Sequence, residues 1–214
     1  IFERSDTASR KKEGLSRSVG RLSGEKAPHL IEIQEGDLSF YVDVQNGHKT
    51  GFYLDQRENR LLLKRVTQNK QVLNCFSYTG SFSVAALAGG AQSVTHIDTS
   101  ADALTLARKN IELNGFRTDA VETINEDVFS ALRSFRDQGR SFDVVILDPP
   151  KFAESSSQLV KASRGYKDIN LLGLKLARPG GLLFTFSCSG HMTPDLFQKI
   201  VSDAAIDAER KAMI

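Results

Sequence analysis

The chain has no tryptophan, two cysteines and two methionines in 214 residues, and each scarcity excludes something. Cys75 and Cys188 are too few for a disulfide framework, and their spacing fits no zinc pattern. No metal is therefore expected, and a reducing cytoplasm is the simplest setting. No apolar run reaches the ~18 to 20 residues that a membrane helix needs, so no membrane partner is expected. No signal-peptide pattern is visible. Strong charge of one sign is also missing, because the net charge of +2 is too small to announce a nucleic-acid partner.

What is present is a globular composition, 40% hydrophobic and 25% charged, enough for a core without staples. The length suits one ordinary domain plus a smaller appendage. Arg4, Arg10, Lys11, Lys12, Arg17, Arg21 and Lys26 crowd the start, diluted by Glu3, Asp6, Glu13 and Glu25. Residues 1–27 show no hydrophobic period and read as an extended lead-in. Two alternating runs, 29–33 and 38–44, flank Glu35-Gly36-Asp37 and predict a small β-hairpin. The stretch from Lys49 to Arg57 leads into a helix ending near Val66. The expected division is therefore 1–66 and 67–214.

From Lys70 strand and helix alternate. Strands are predicted at 71–75, 93–97, 121–124, 142–147 and 181–187, and helices at 80–89, 100–114, 128–138, 166–177 and 194–210. Such alternation implies an α/β fold, Rossmann-like, with a mostly parallel sheet and helices on both faces. The last helix runs to the end of the sequence, so the strands that would complete the sheet are expected beyond it.

Ligands bind at the carboxyl ends of such strands. The first strand breaks into Phe76-Ser77-Tyr78-Thr79-Gly80 ahead of a helix, a small-residue turn where backbone N–H groups can meet a ligand. Only Gly80 matches the glycines of a dinucleotide fingerprint, which disfavours a nicotinamide cofactor. Asp98 closes the second strand and reads as a ribose ligand or a helix cap. Asp127 follows the third and reads as an adenine ligand or a cap. Together these three strand ends fit S-adenosylmethionine better than NAD.

At the carboxyl ends of two neighbouring strands, Asp148-Pro149-Pro150-Lys151-Phe152 and Phe186-Ser187-Cys188-Ser189-Gly190 each follow an apolar run. Two prolines fix the direction of the first loop, which offers a carboxylate to a planar nitrogen base. A lone cysteine usually only packs. Cys188, between two serines at a strand end ahead of a helix, instead reads as a nucleophile. Cys75, under the cofactor loop, reads as structural. Carbon 5 of a pyrimidine is a poor nucleophile, and attack of a thiolate on carbon 6 activates it. Methylation of an amine needs no such step. Lys151, Arg164 and Tyr166 lie in or beside the loop after Asp148 and are candidates for RNA contact.

The segments Asn74–Gly80, Val94–Ser100, Asp148–Phe152, Arg164–Asn170 and Phe186–Gly190 resemble the ribosomal large subunit methyltransferase I type, and the similarity covers nearly the whole chain. Those enzymes are S-adenosylmethionine-dependent 23S rRNA cytosine-C5 methyltransferases. The resemblance implies a class I methyltransferase fold, ribosomal RNA as partner, Cys188 and Asp148 as catalytic residues, and cofactor contacts from Phe76 to Gly80, Asp98, Asp127, Asp148 and Pro149. It extends to Phe52, Asp55 and Arg57, within a segment that the family folds over the cofactor. It also implies an RNA-binding domain of the PUA type ahead of Ile1. A related rRNA guanine methyltransferase type has asparagines where Ser187-Cys188-Ser189 stands, which favours cytosine here. The alternatives are an RNA or protein N-methyltransferase in which Cys188 only packs, and a non-catalytic RNA-binding module of the same fold. No feature of the sequence assigns an oligomeric state.

Overall fold

The computed structural model describes residues 1–6, 10–11, 13–26, 28–153 and 155–213, which fall into two compact units, Ile1–Arg57 and Glu58–Ile214. Lys12 lies outside the described residues.

The first unit corrects one expectation. The lead-in contains a two-stranded antiparallel ribbon, β1 (Phe2–Ser5) with β2 (Ser18–Arg21), pairing Phe2 with Arg21 and Ser5 with Ser18. Arg4 anchors it, donating to the carbonyls of Gly47 at 2.5 Å and Lys49 at 2.9 Å. The expected hairpin is β3 (Ile31–Glu35) and β4 (Leu38–Val42). Gly36 takes the left-handed φ of +64° that its two-residue turn requires.

Helix α1 (Arg57–Val66) lies in the second unit from its second residue, and the unit continues as β5 (Gln71–Cys75), α2 (Ser81–Ala88), β6 (Ser93–Asp98), α3 (Ala101–Leu113), β7 (Val121–Asn125), α4 (Val128–Asp137), β8 (Phe142–Leu147), α5 (Leu159–Leu176), β9 (Ala177–Thr185) and α6 (Pro194–Asp207). All five strands are parallel, in the order β7-β6-β5-β8-β9. The order reverses between β5 and β8, so their carboxyl ends flank the crevice where open α/β sheets bind ligands. Register aligns Cys75 with both Ile97 and Leu147, and Leu147 with Thr185. Phe76, Asp98, Asp148 and Phe186 therefore leave the sheet along one row.

Alternate residues of the strands serve opposite faces. Leu73, Cys75, Ile97, Val145 and Leu147 pack with Leu132 and Phe135 of α4 and with Ile169, Leu172 and Leu176 of α5. The other face carries a polar chain that runs from buried Asn74 to exposed Thr123: Asn74 Nδ2 donates to Ser83 Oγ at 2.9 Å, Ser83 Oγ lies 3.3 Å from His96 Nδ1, and His96 Nε2 lies 2.7 Å from Thr123 Oγ1.

Burial pushes the pKa of His96 down to about 4. Unfolded histidine titrates near ~6.5, so between those values the unfolded chain binds the extra proton. The stability that comes from neutral His96 is therefore whole above about pH 6.5 and is lost as pH falls toward 4, by about 3 kcal/mol at most. Urea melts at pH 7 and pH 5 should show a smaller acid loss in His96→Gln than in the parent. Equal losses would contradict this account.

Two elements depart most from their expected bounds. α5 starts at Leu159, not 166, because Ala162, Tyr166, Ile169, Asn170 and Gly173 form one buried stripe through its whole length. β9 begins at Ala177 and ends at Thr185, with a register shift opposite Phe142 and Val144. Gly181 sits in that shift, where a Cβ would stand 2.9 Å from the carbonyl oxygens of Arg178 and Asp143.

Candidate active site

The loop after β5 alternates into the left-handed region, with φ of +58° at Phe76, +47° at Tyr78 and +78° at Gly80. Bulky residues hold such angles at a cost of about 1 to 3 kcal/mol each, and only where the surroundings over-determine them. Here they do. Ser77 N–H donates to Ile97 O at 2.9 Å, Gly80 N–H to Ser77 O at 2.8 Å, and Tyr78 N–H to Asp98 Oδ2 at 2.8 Å. Buried Asn110 adds a bond from Nδ2 to Thr79 O at 2.9 Å. At Gly80 a Cβ would come within 2.7 Å of the Ala107 methyl, so α2 and α3 approach each other through this glycine.

The loop fits an adenosyl cofactor on two counts. Ser77 Oγ is buried and has no hydrogen-bond partner among the described residues, a state that buried hydroxyls rarely keep. Gly80 supplies no side-chain cap to α2, so the first-turn N–H end of that helix faces the loop uncapped. Asp98 braces the loop through Oδ2 and accepts from Ser100 N through Oδ1 at 2.9 Å. A carboxylate has about four acceptor positions, so two remain for a diol. Asp127 is exposed and caps α4 by accepting from Ser130 N at 3.0 Å. Its cap role is therefore present in the structure. Asn125 and Glu126 both donate to the Asp98 carbonyl and tie the end of β7 to that of β6.

At the neighbouring strand ends the two chemical segments meet. Cys188 is exposed, and its Sγ donates to the Pro149 carbonyl at 3.7 Å. Asp148 is half-buried and Pro149 buried, while Lys151 and Arg164 are exposed. Phe186 bonds through its N–H to Leu147 O at 3.0 Å and stacks its ring on Phe82 at 5.7 Å. The other thiol, Cys75, is wholly buried, and burial pushes its pKa far up, so it is inert.

Tyr166 requires a correction. Its ring has no exposed surface and packs among Phe152, Ala153, Ala162, Met192 and Ile200, so it cannot stack on a base. Its hydroxyl instead reaches Ser187 and Ser189. Asn110, the Phe82–Phe186 pair and these two serines escape a sequence reading, because each acts through a partner distant in the chain. Phe52, Asp55 and Arg57 belong to the first unit, where Phe52 packs on Phe40 at 5.0 Å and the other two are exposed. A groove of about 510 Å³ opens at the amino ends of the strands, opposite this site. Its charges satisfy one another, Arg178 binding Asp143 and Gln71, and Arg140 binding Glu122. Among the described residues no cluster suits a metal ion and no helix is long and apolar enough to cross a membrane.

The sheet order, the strained loop after the first parallel strand and the acid after the second define a class I methyltransferase. Residues 12–209 match the S-adenosylmethionine-dependent methyltransferase family, and the chain belongs to it. It is 58% identical over 210 residues to ribosomal RNA large subunit methyltransferase I of Klebsiella pneumoniae strain 342, and 56% identical to that of Salmonella typhi. Each match covers 98% of this chain and 52% of the relative, so the chain spans about half the length of the curated relatives it matches. Among solved structures it is similar to SMU.776, a methyltransferase in complex with S-adenosylhomocysteine (TM-score 0.79, 31% identity, 87% of this chain and 49% of that one). An Agrobacterium tumefaciens methyltransferase shares the fold (TM-score 0.73, 23% identity, 86% and 61% covered).

Proposed function

We propose that this chain is the catalytic part of an rRNA methyltransferase that transfers a methyl group to carbon 5 of a cytosine in 23S rRNA, through a covalent link to Cys188. The observation that carries the reading is the contact of the exposed Cys188 thiol with the Pro149 carbonyl, which sets a nucleophile against the Asp-Pro-Pro loop at the crevice. The names of the relatives support the ribosomal RNA substrate, and the family supports the methyl donor.

S-adenosylmethionine, when bound, supplies an electrophilic methyl group. Phe76 to Gly80 hold its methionine part, with the uncapped amino end of α2 favouring the carboxylate. Asp98 would hold the ribose and Asp127 the adenine side, with Asp148 and Pro149 lining the end of the crevice where the methyl group is delivered. Cys188, having lost its proton to solvent, forms a bond from Sγ to carbon 6, and the electrons of the 5,6 double bond move to carbon 5. Asp148, as the carboxylic acid, donates its proton in a hydrogen bond to ring nitrogen 3 and accepts from the exocyclic amine with its other oxygen, which stabilises the charge that develops there. Carbon 5 takes the methyl group, and the methyl–sulfur electrons stay on the departing S-adenosylhomocysteine. A base then removes the carbon 5 proton, the double bond re-forms, and Cys188 leaves as thiolate.

Access to the ring face requires an unpaired or flipped base. Lys151 and Arg164, exposed beside the crevice, are assigned to phosphate contact. Arg164→Glu is expected to weaken RNA binding and to flatten the log–log salt slope by about 0.7 to 0.9, the share of one neutralised phosphate. Filter binding at several salt concentrations measures this, and an unchanged slope removes Arg164 from the interface. The activity itself is tested by mass mapping of 23S rRNA from cells with and without the protein. One cytosine should lose its 5-methyl group, whereas loss of a mark on an exocyclic amine or a guanine overturns the proposal.

A further inference from the structure

The Tyr166 hydroxyl accepts from Ser187 Oγ at 3.0 Å and stands 3.0 Å from Ser189 Oγ. A phenol has one proton, so with Ser187 as donor, the tyrosine proton goes to Ser189. Ser189 N–H returns to Ser187 Oγ at 3.3 Å, which closes a ring through both neighbours of Cys188. Ser189 Oγ also accepts from Ala153 N–H at 3.3 Å, at the far end of the loop that begins with Asp148-Pro149-Pro150. Around this junction the Tyr166 ring is clamped by Phe152 at 4.7 Å and by the edge-on ring of Phe197 at 5.5 Å.

A buried tyrosine needs one hydrogen-bond partner to offset the burial of its hydroxyl. Here there are two, at the positions immediately before and after the thiol, and the second is shared with the opposite loop. We propose that Tyr166 is a positioning residue of the methyl-transfer site: its hydroxyl locks the backbone on both sides of Cys188 and fixes that segment against the Asp-Pro-Pro loop. The inference rests on the reading of Cys188 as nucleophile. It also explains why two serines flank the thiol, since each supplies the hydroxyl that the junction uses.

Tyr166→Phe keeps the ring and removes the junction. In the full-length protein it should lower kcat for rRNA methylation by about 10- to 100-fold, the effect of a nucleophile displaced by about 1 Å, and leave the KM for S-adenosylmethionine within about twofold. Hydrogen exchange at the Ala153 and Ser189 amides should accelerate about tenfold or more, with β5 and β8 still protected. Ser189→Ala attacks the junction from its other side, so its loss in kcat should not add to that of Tyr166→Phe. It also serves if the tyrosine variant folds poorly. Unchanged kcat in either variant, or unchanged exchange at both amides, overturns the positioning role. Should the parent protein leave cytosine carbon 5 unmethylated, the nucleophile reading falls separately, and the exchange result alone upholds or overturns the junction.

Discussion

Cys188→Ser should lose cytosine methylation by about 10³-fold or more, as covalent enzymes do when the nucleophile is removed. The substitution is nearly isosteric at an exposed position after β9, so fold and cofactor affinity should stay as in the parent. Ionisation makes the difference. A free thiol ionises near ~8.5, far below a serine hydroxyl, and the thiolate is the attacking species. Cys75→Ser is the matching control. That side chain has no exposed surface and packs among Leu73, Ile97 and Leu147. A hydroxyl there costs about 1 to 3 kcal/mol of stability, with little effect on turnover per folded molecule. Methylation assays beside thermal melts separate the two. Substantial activity in Cys188→Ser would end the covalent mechanism and, with it, the main argument for cytosine.

The second large effect is expected at Asp98. Asp98→Ala removes the acceptor assigned to the ribose and releases Tyr78 N–H, which its carboxylate holds at 2.8 Å. Each charge-assisted hydrogen bond is worth about 1.5 to 3 kcal/mol, so affinity for S-adenosylmethionine should fall by about 10- to 100-fold. The loss has two parts, a missing acceptor and a loop freed from its left-handed angles at Phe76 and Tyr78. Calorimetry measures it, and an unchanged dissociation constant removes Asp98 from the cofactor site.

The parallel sheet was legible in the sequence because each strand is a short apolar run followed by a periodic helix, and both signals are local. The ribbon of β1 and β2 was not. Phe2-Glu3-Arg4-Ser5 and Ser18-Val19-Gly20-Arg21 bury no full face, and their pairing depends on partners such as the Gly47 and Lys49 carbonyls far along the chain. The start of α5 was hidden by polar residues and by Gly165, although Ala162, Tyr166, Ile169 and Asn170 recur at helical spacing.

At the site, residue types at strand ends indicated Asp98, Asp148 and Cys188, since acids and thiols in that position need a reason to be there. What the residue types did not convey is how one group serves two purposes. Asp98, proposed for the ribose, also holds the loop after β5, and Asp127, proposed for the adenine side, caps α4. Tyr166 shows the opposite failure. The helix was expected to begin at Tyr166, so this residue read as lying in or beside the loop after Asp148. Burial of the ring in the α5 stripe removes the RNA contact read for this residue and sets its hydroxyl against Ser187.

The covalent step itself is open to direct measurement. A 23S rRNA fragment carrying 5-fluorocytosine lets Cys188 add to carbon 6 and carbon 5 accept the methyl group. Fluorine then stands where a proton must leave, and the enzyme stays attached. With S-adenosylmethionine present, the full-length protein should form a complex with this RNA that survives denaturation, and mass spectrometry of the digest should place the bond on Cys188. A complex absent under conditions where unmodified RNA is methylated, or bonded to any other residue, would contradict the account.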